Sequence, residues 1–123
     1  VIFQGDERGI LGEKEFYDAQ RYPIQWDTKN ESLISHYKEL AQLRGEIPIL
    51  TSSVIRNYYG TGHLLSFFRG EQGKDEALIV ANNGTETVKF KLPFGNWQSV
   101  TEGEVLQGII QIPSLQVKIF ERL

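Results

Sequence analysis

Apolar residues recur along this chain with two different periods, and the change between them divides it. Leu33, Ile34, Tyr37, Leu40 and Ala41 recur at 3.6-residue spacing, which puts them on one face of a helix. Thr28 and Glu31 have the spacing of a capping box, and Asn30 offers a second cap; Gly45 and Pro48 end the helix. From about Ser52 the period falls to two. Val88, Phe90 and Leu92 alternate with Thr87, Lys89 and Lys91, while Leu115, Val117 and Ile119 alternate with Gln116 and Lys118. Between them Ala77 to Ala81 is an unbroken apolar run, suited to a central strand covered on both faces. Asn83 and Gly84 lie between two such strands and predict a hairpin. Further breaks fall at Gly60–Gly62, Gly70–Gly73, Pro93–Asn96, Gly103 and Gly108. The pattern predicts roughly six to eight short strands, the layout of an antiparallel sandwich.

Ahead of the helix the signal is different. Residues 1–5 form a short apolar run ending at Gly5, consistent with the end of a buried parallel strand. Residues 6–29 show no clean period and hold Gly9, Gly12 and Pro23, which reads as a long loop. Long ordered loops carry function more often than they merely connect. The boundary between the two regimes falls near residues 45–51, giving parts 1–47 and 48–123. The first residue is Val1, in what reads as mid-strand, so a partial chain is expected.

Composition narrows the classes. At 123 residues there is room for one ordinary domain, or for one plus a fragment, and far too little for an eight-stranded α/β barrel of about 250 residues. With 40% hydrophobic and 24% charged residues the chain reads as globular and not disordered. Its 13 basic residues are scattered among 16 acidic ones, which argues against a nucleic-acid-binding stripe. The absence of Cys excludes disulfides, zinc–thiolate sites and thiol nucleophiles, but leaves the compartment open. No apolar run approaches the ~18–20 residues of a membrane span and no signal peptide is visible, so a soluble protein is expected. His36 and His63 lack metal-ligand spacing, and no dense acidic loop suggests calcium; neither a metal nor a cofactor is expected.

Two short segments carry a resemblance. Phe3-Gln4-Gly5-Asp6-Glu7-Arg8-Gly9 resembles the Y-G-D-E-x-G signature of glycoside hydrolase family 13, the α-amylase family. Arg21-Tyr22-Pro23-Ile24-Gln25-Trp26-Asp27 resembles the R-x-P-M-Q-W-D stretch of its α-glucosidase-like members. Asn30-Glu31-Ser32-Leu33 together with Leu40-Ala41-Gln42-Leu43-Arg44 is similar to the N-x-S-L…L-x-x-L-R wording of the family's final barrel helix. The resemblance implies a mostly β chain: a C-terminal antiparallel Greek-key β-sandwich preceded by the last strand, substrate loop and final helix of a (β/α)8 barrel. It further implies the C-terminal portion of a glycoside hydrolase that acts on α-glucans by a retaining two-carboxylate mechanism. The expected partners are an α-glucan or maltooligosaccharide and the missing N-terminal barrel portion. The family's nucleophile, acid and transition-state-stabilising Asp come from the fourth, fifth and seventh barrel strands. All three would lie upstream of Val1, so no catalytic residue is assigned here.

Retaining hydrolysis needs two carboxyl groups about 5–5.5 Å apart. Asp6 and Glu7 are the tempting local pair, but neighbours on a strand point to opposite faces, so a loop-ordering role is expected. Arg21 is the better binding candidate, because its rigid fork of donors suits sugar hydroxyls. The resemblance implies a sugar-subsite role for Arg21 and sugar-hydroxyl contact for Asp18, although Tyr17-Asp18-Ala19-Gln20-Arg21 replaces the family's D-P-D-N-R. The plainer reading of that pair is a loop ion pair at i and i+3. Trp26 is expected to pack its loop, with sugar stacking by Trp26 or Tyr22 the alternative. Tyr58, Tyr59 and Trp97 are expected in the sandwich core before a surface glycan platform. A non-catalytic carbohydrate-binding or structural sandwich explains residues 52–123 equally well, but not the wording of the Arg21–Asp27 loop.

Overall fold

The computed structural model describes residues 5–10, 23–24, 26–27, 29–73 and 75–123, without the side chains of Asn57 and Tyr58. The chain divides into two compact units, Val1–Glu46 and Ile47–Leu123.

In the first unit, Gly5 begins a 3-10 turn over Asp6–Arg8 that Gly9 closes. Both glycines have positive φ, +91° and +70°, the left-handed region that side chains with a Cβ disfavour. A strand end was the expectation for residues 1–5. Residues 1–4 lie outside the described residues, and Gly5 itself is in the turn, with its carbonyl accepting from Arg8 N at 3.0 Å and Ile10 N at 3.2 Å. Helix α1 spans Glu31–Glu46. Asn30 caps it, its Oδ1 accepting from Leu33 N at 3.0 Å. The other predicted cap, Thr28, lies outside the described residues. Gly45 does not end the helix, which runs one residue further. The stop is Pro48: its ring forces the preceding Ile47 into extended geometry, φ −111° and ψ 94°. No residue of α1 is fully buried.

The second unit opens with a 3-10 turn, Pro48–Thr51, followed by eight strands. They are β1 (Ile55–Thr61), β2 (Leu64–Gly70), β3 (Glu76–Asn82), β4 (Val88–Lys91), β5 (Trp97–Ser99), β6 (Val105–Leu106), β7 (Ile109–Ile112) and β8 (Gln116–Arg122). Six of them form an antiparallel sheet in the order β1-β2-β3-β8-β5-β6, and β4 pairs with β7 in a second sheet. With one α-helix among the described residues, the chain is mostly β. Leu78, Val80, Trp97 and Phe120 from the large sheet meet Leu92, Ile110 and Ile112 from β4, β7 and the segment after β4 in one core. Two sheets closing on a shared apolar layer make this a β-sandwich. The run Ala77 to Ala81 is central, between β2 and β8, as its unbroken apolar character requires.

Two details of the period-two reading change. Asn83 and Gly84 do not turn a hairpin, because β3 pairs with β2 and β8 while β4 pairs with β7. Instead the buried Asn82 side chain builds the corner between the sheets. Its Nδ2 donates to the carbonyls of Glu86 (2.8 Å), Ile112 (3.1 Å) and Pro113 (3.0 Å). Its Oδ1 accepts from Gly84 N at 3.0 Å. Four satisfied bonds hold the crossover better than two turn residues alone. The second change is on β8, where the Leu115–Val117–Ile119 stripe does not face the core. Phe120 does, fully buried beside its cross-strand partner Leu78, whereas Val117 is 59% exposed. The larger aromatic set the phase, and a one-residue difference turns every side chain to the other face.

Candidate functional site

The described part of the long loop joins the two signature segments through one side chain. Arg8, in the turn after Gly5, donates from Nη1 to the carbonyl of Trp26 at 3.1 Å. Its guanidinium also lies over the Trp26 ring, 4.7 Å from the centroid. A cation over an indole face is held by the ring quadrupole. Glu7 Oε1 sits 3.8 Å from Arg8 Nε and completes the local charge balance. The turn in turn rests on the start of α1, with Leu33 Cδ2 3.6 Å and Asn30 Cβ 3.7 Å from where a Gly9 Cβ would stand. Cap, turn and loop therefore form one connected device at the N-terminal end of α1.

The sequence candidates fall unevenly on this device. Asp18 and Arg21 lie outside the described residues, as does Tyr22. Asp6 and Glu7 sit in a 3-10 turn and not on a strand. Trp26 is 66% exposed, so it is not packed as expected; one face of its ring is covered by Arg8. Arg8 was not singled out from the sequence. It occupies the variable position of its signature, and nothing in a four-residue wording says that this position faces a tryptophan 18 residues on.

The sandwich holds a second charged cluster that no motif announced. Glu76, its side chain only 2% exposed, receives Arg56 from β1 and Arg122 from β8 on its two oxygens. Arg56 Nε also donates to Gly70 O, and Arg122 Nη2 to Phe94 O at 2.7 Å. The two guanidinium groups lie over Phe68 and Trp97, 5.4 and 5.3 Å from the ring centroids. Burial pushes the Glu76 carboxyl up, but the hydrogen bonds and charges of Arg122 and Arg56 outweigh it and hold it below its ordinary value. With both oxygens committed to arginines, Glu76 is a structural anion and not a proton donor. Trp97 is fully buried in the core, and Tyr59 is 57% exposed. An open depression of about 400 Å³ at the β1–β2 turn has a floor of Leu65 and Ala81, with His63 and Asn83 on its rim and no carboxylate. Among the described residues no group of His, Asp and Glu is arranged to hold a metal. No helix there is long and apolar enough to cross a membrane.

No protein-family model matches the chain. Solved structures do. The type III pullulan hydrolase from Thermococcus kodakarensis matches 98% of the chain at 45% identity, with a TM-score of 0.82. An Anoxybacillus α-amylase matches 96% at 20% identity with a TM-score of 0.75, a likeness of fold. The cyclomaltodextrinase of Thermoanaerobacter pseudethanolicus is 30% identical over 90 residues, 72% of the chain. The chain spans 20% of the pullulan hydrolase and 16% of the cyclomaltodextrinase. By sequence and fold it corresponds to the C-terminal part of an α-amylase-family (glycoside hydrolase family 13) enzyme.

Proposed function

We propose that this chain is the C-terminal portion of a glycoside hydrolase that acts on α-glucans of the starch and maltooligosaccharide type. The observation that supports this reading best is 45% identity to a pullulan hydrolase, sustained over 98% of the chain. In this reading residues 1–47 complete a (β/α)8 barrel with its last strand, substrate loop and final helix, and residues 48–123 are the sandwich that follows. Barrel enzymes build their sites from the loops after the strands. The Arg8–Trp26 clamp then fixes the far end of such a loop, while Arg21 and Asp18 meet sugar hydroxyls from its middle. The two carboxylates of a retaining mechanism belong to the remainder of the barrel. That remainder is the partner this chain requires, and no step of the chemistry is assigned to the residues in hand.

The test is a chimera. The matching fifth of the Thermococcus kodakarensis enzyme is replaced by this chain and assayed on pullulan and starch. Hydrolysis is expected from the chimera, and none from the homogeneous 123-residue chain on starch, pullulan or cyclodextrins. Turnover by the isolated chain, or an inactive chimera that folds, overturns the reading.

A further inference from the structure

The most exposed large apolar side chain among the described residues is Phe94, at 97%. A single exposed apolar residue is ordinary on a surface. What sets Phe94 apart is how firmly its backbone is held. Trp97 Nε1 donates to Pro93 O at 3.0 Å, Arg122 Nη2 to Phe94 O at 2.7 Å and Leu123 N to Asn96 O at 3.0 Å. Just before the loop, Leu92 N donates to Gly108 O at 2.8 Å. Gly95, at φ +126°, lets the chain turn where a Cβ would stand 3.1 Å from Arg122 Nη2. The buried indole and the arginine that binds Glu76 thus both anchor a loop whose tip is an aromatic ring in water.

Polar groups flank the ring. The exposed amides of Asn96 and Gln107 pair with each other, Nε2 of Gln107 donating to Oδ1 of Asn96. That pairing leaves Asn96 Nδ2 as a donor and Gln107 Oε1 as an acceptor for a ligand. A pre-ordered aromatic face beside one amide donor and one amide acceptor has the chemistry of a pyranose platform. The ring covers the apolar face of the sugar, and the amides meet its hydroxyls. Because the loop is already fixed, little ordering opposes binding.

We infer that Phe94, with Asn96 and Gln107, forms a surface site for an α-glucan chain on the sandwich. The choice of α-glucan rests on the proposed function; the site itself rests on the loop.

Affinity electrophoresis of the 123-residue chain through gels with and without soluble starch tests it, circular dichroism confirming the fold of each variant. Starch is expected to retard the chain. Phe94→Ala weakens the retardation about tenfold, an effect of roughly the size of one lost stacking contact. Phe94→Trp, which keeps an aromatic face, retains it. No retardation of the parent chain overturns the site, as does equal retardation of Phe94→Ala. Neither result touches the proposed function, which stands or falls on the hydrolytic chimera.

Discussion

Arg56 on β1 reaches Glu76 on β3 across the whole width of β2, and it does so over a residue without a side chain. Gly70 ends β2 directly opposite Glu76, and its carbonyl accepts from Arg56 Nε on the way. From the other flank Arg122 on β8 closes on the same carboxylate. One buried anion thereby ties β1, β3 and β8 at a single end of the large sheet.

Removing that anion leaves two guanidinium groups facing each other. Glu76→Gln puts an amide NH2 against one of them and is expected to destabilise the chain by about 2–4 kcal/mol. The value lies below the full cost of breaking a wholly buried pair because both arginines remain partly hydrated. The effect depends on pH with a definite sign. The folded carboxyl is held below its ordinary value of 4.5, so its contribution is complete above that value and is lost as pH falls through the folded one. Urea denaturation at pH 7 and at pH 3 should show the gap between parent and variant narrowing in acid. A gap independent of pH would mean that the carboxylate charge is not what holds the three strands.

Gly70 is predicted to tolerate no side chain. Its φ is +90°, and a Cβ there would overlap both the Asp75 carbonyl oxygen and the Ile49 side chain. Gly70→Ala combines left-handed strain with overpacking, and a loss of about 2–4 kcal/mol is expected by chemical denaturation. Gly73→Ala is the control, since its added Cβ meets nothing within 4 Å and only the strain of φ +77° remains.

Asn82→Ala removes the four hydrogen bonds that carry the chain from one sheet to the other. The residue is 2% exposed, so the abandoned carbonyls gain little water in exchange. A loss of about 2–4 kcal/mol is expected, with amide exchange accelerating first around Gly84 and Pro113. Unchanged exchange at Gly84 would assign the corner to backbone pairing alone.

How far the fold could be read from the residues depended on whether a feature was periodic or pairwise. The α1 stripe and the buried run of β3 are periodic, and a repeat along one segment is visible without knowing the neighbours. The phase of β8 was not visible in the same way. Leu115, Val117 and Ile119 alternate as well as any strand, yet Phe120 faces the core because Leu78 stands opposite it. Asn83-Gly84 reads as a hairpin locally, but its partner strands were chosen by pairing elsewhere. The Glu76 cluster draws its members from positions 56, 76 and 122, separations that leave no local trace. At the loop, the two signatures were legible as words, while the Arg8–Trp26 contact between them was not.

That contact can be read optically, because the two tryptophans differ so sharply. Trp97 is fully buried and Trp26 is 66% exposed, so quenching by a water-soluble agent reports mainly on Trp26. Arg8→Ala uncovers the other ring face and should raise the quenchable fraction, whereas Arg8→Lys, which keeps the cation but loses the planar fork, should fall between. The lost cation–π contact is worth about 0.5–1 kcal/mol at such an exposed site, so global stability should move little. If quenching in Arg8→Ala matches the parent, Arg8 does not hold the loop.

Arg21 carries the most direct prediction about function, and it must be tested where catalysis occurs, in the hydrolytic chimera. A guanidinium that binds sugar hydroxyls in a closed site makes charge-assisted hydrogen bonds worth about 1–3 kcal/mol. Arg21→Ala should therefore lower kcat/KM on maltooligosaccharides by roughly 5- to 150-fold. Arg21→Lys should recover only part of this, because an ammonium cannot reproduce the planar fork. The competing role, a loop ion pair with Asp18, predicts a different pattern. In that case Asp18→Ala and Arg21→Ala would cost the same, and the double variant no more than either, since each single change already breaks the pair. Sugar contact by both residues instead predicts losses that add. The double variant thus separates a loop that is merely held from a loop that holds substrate.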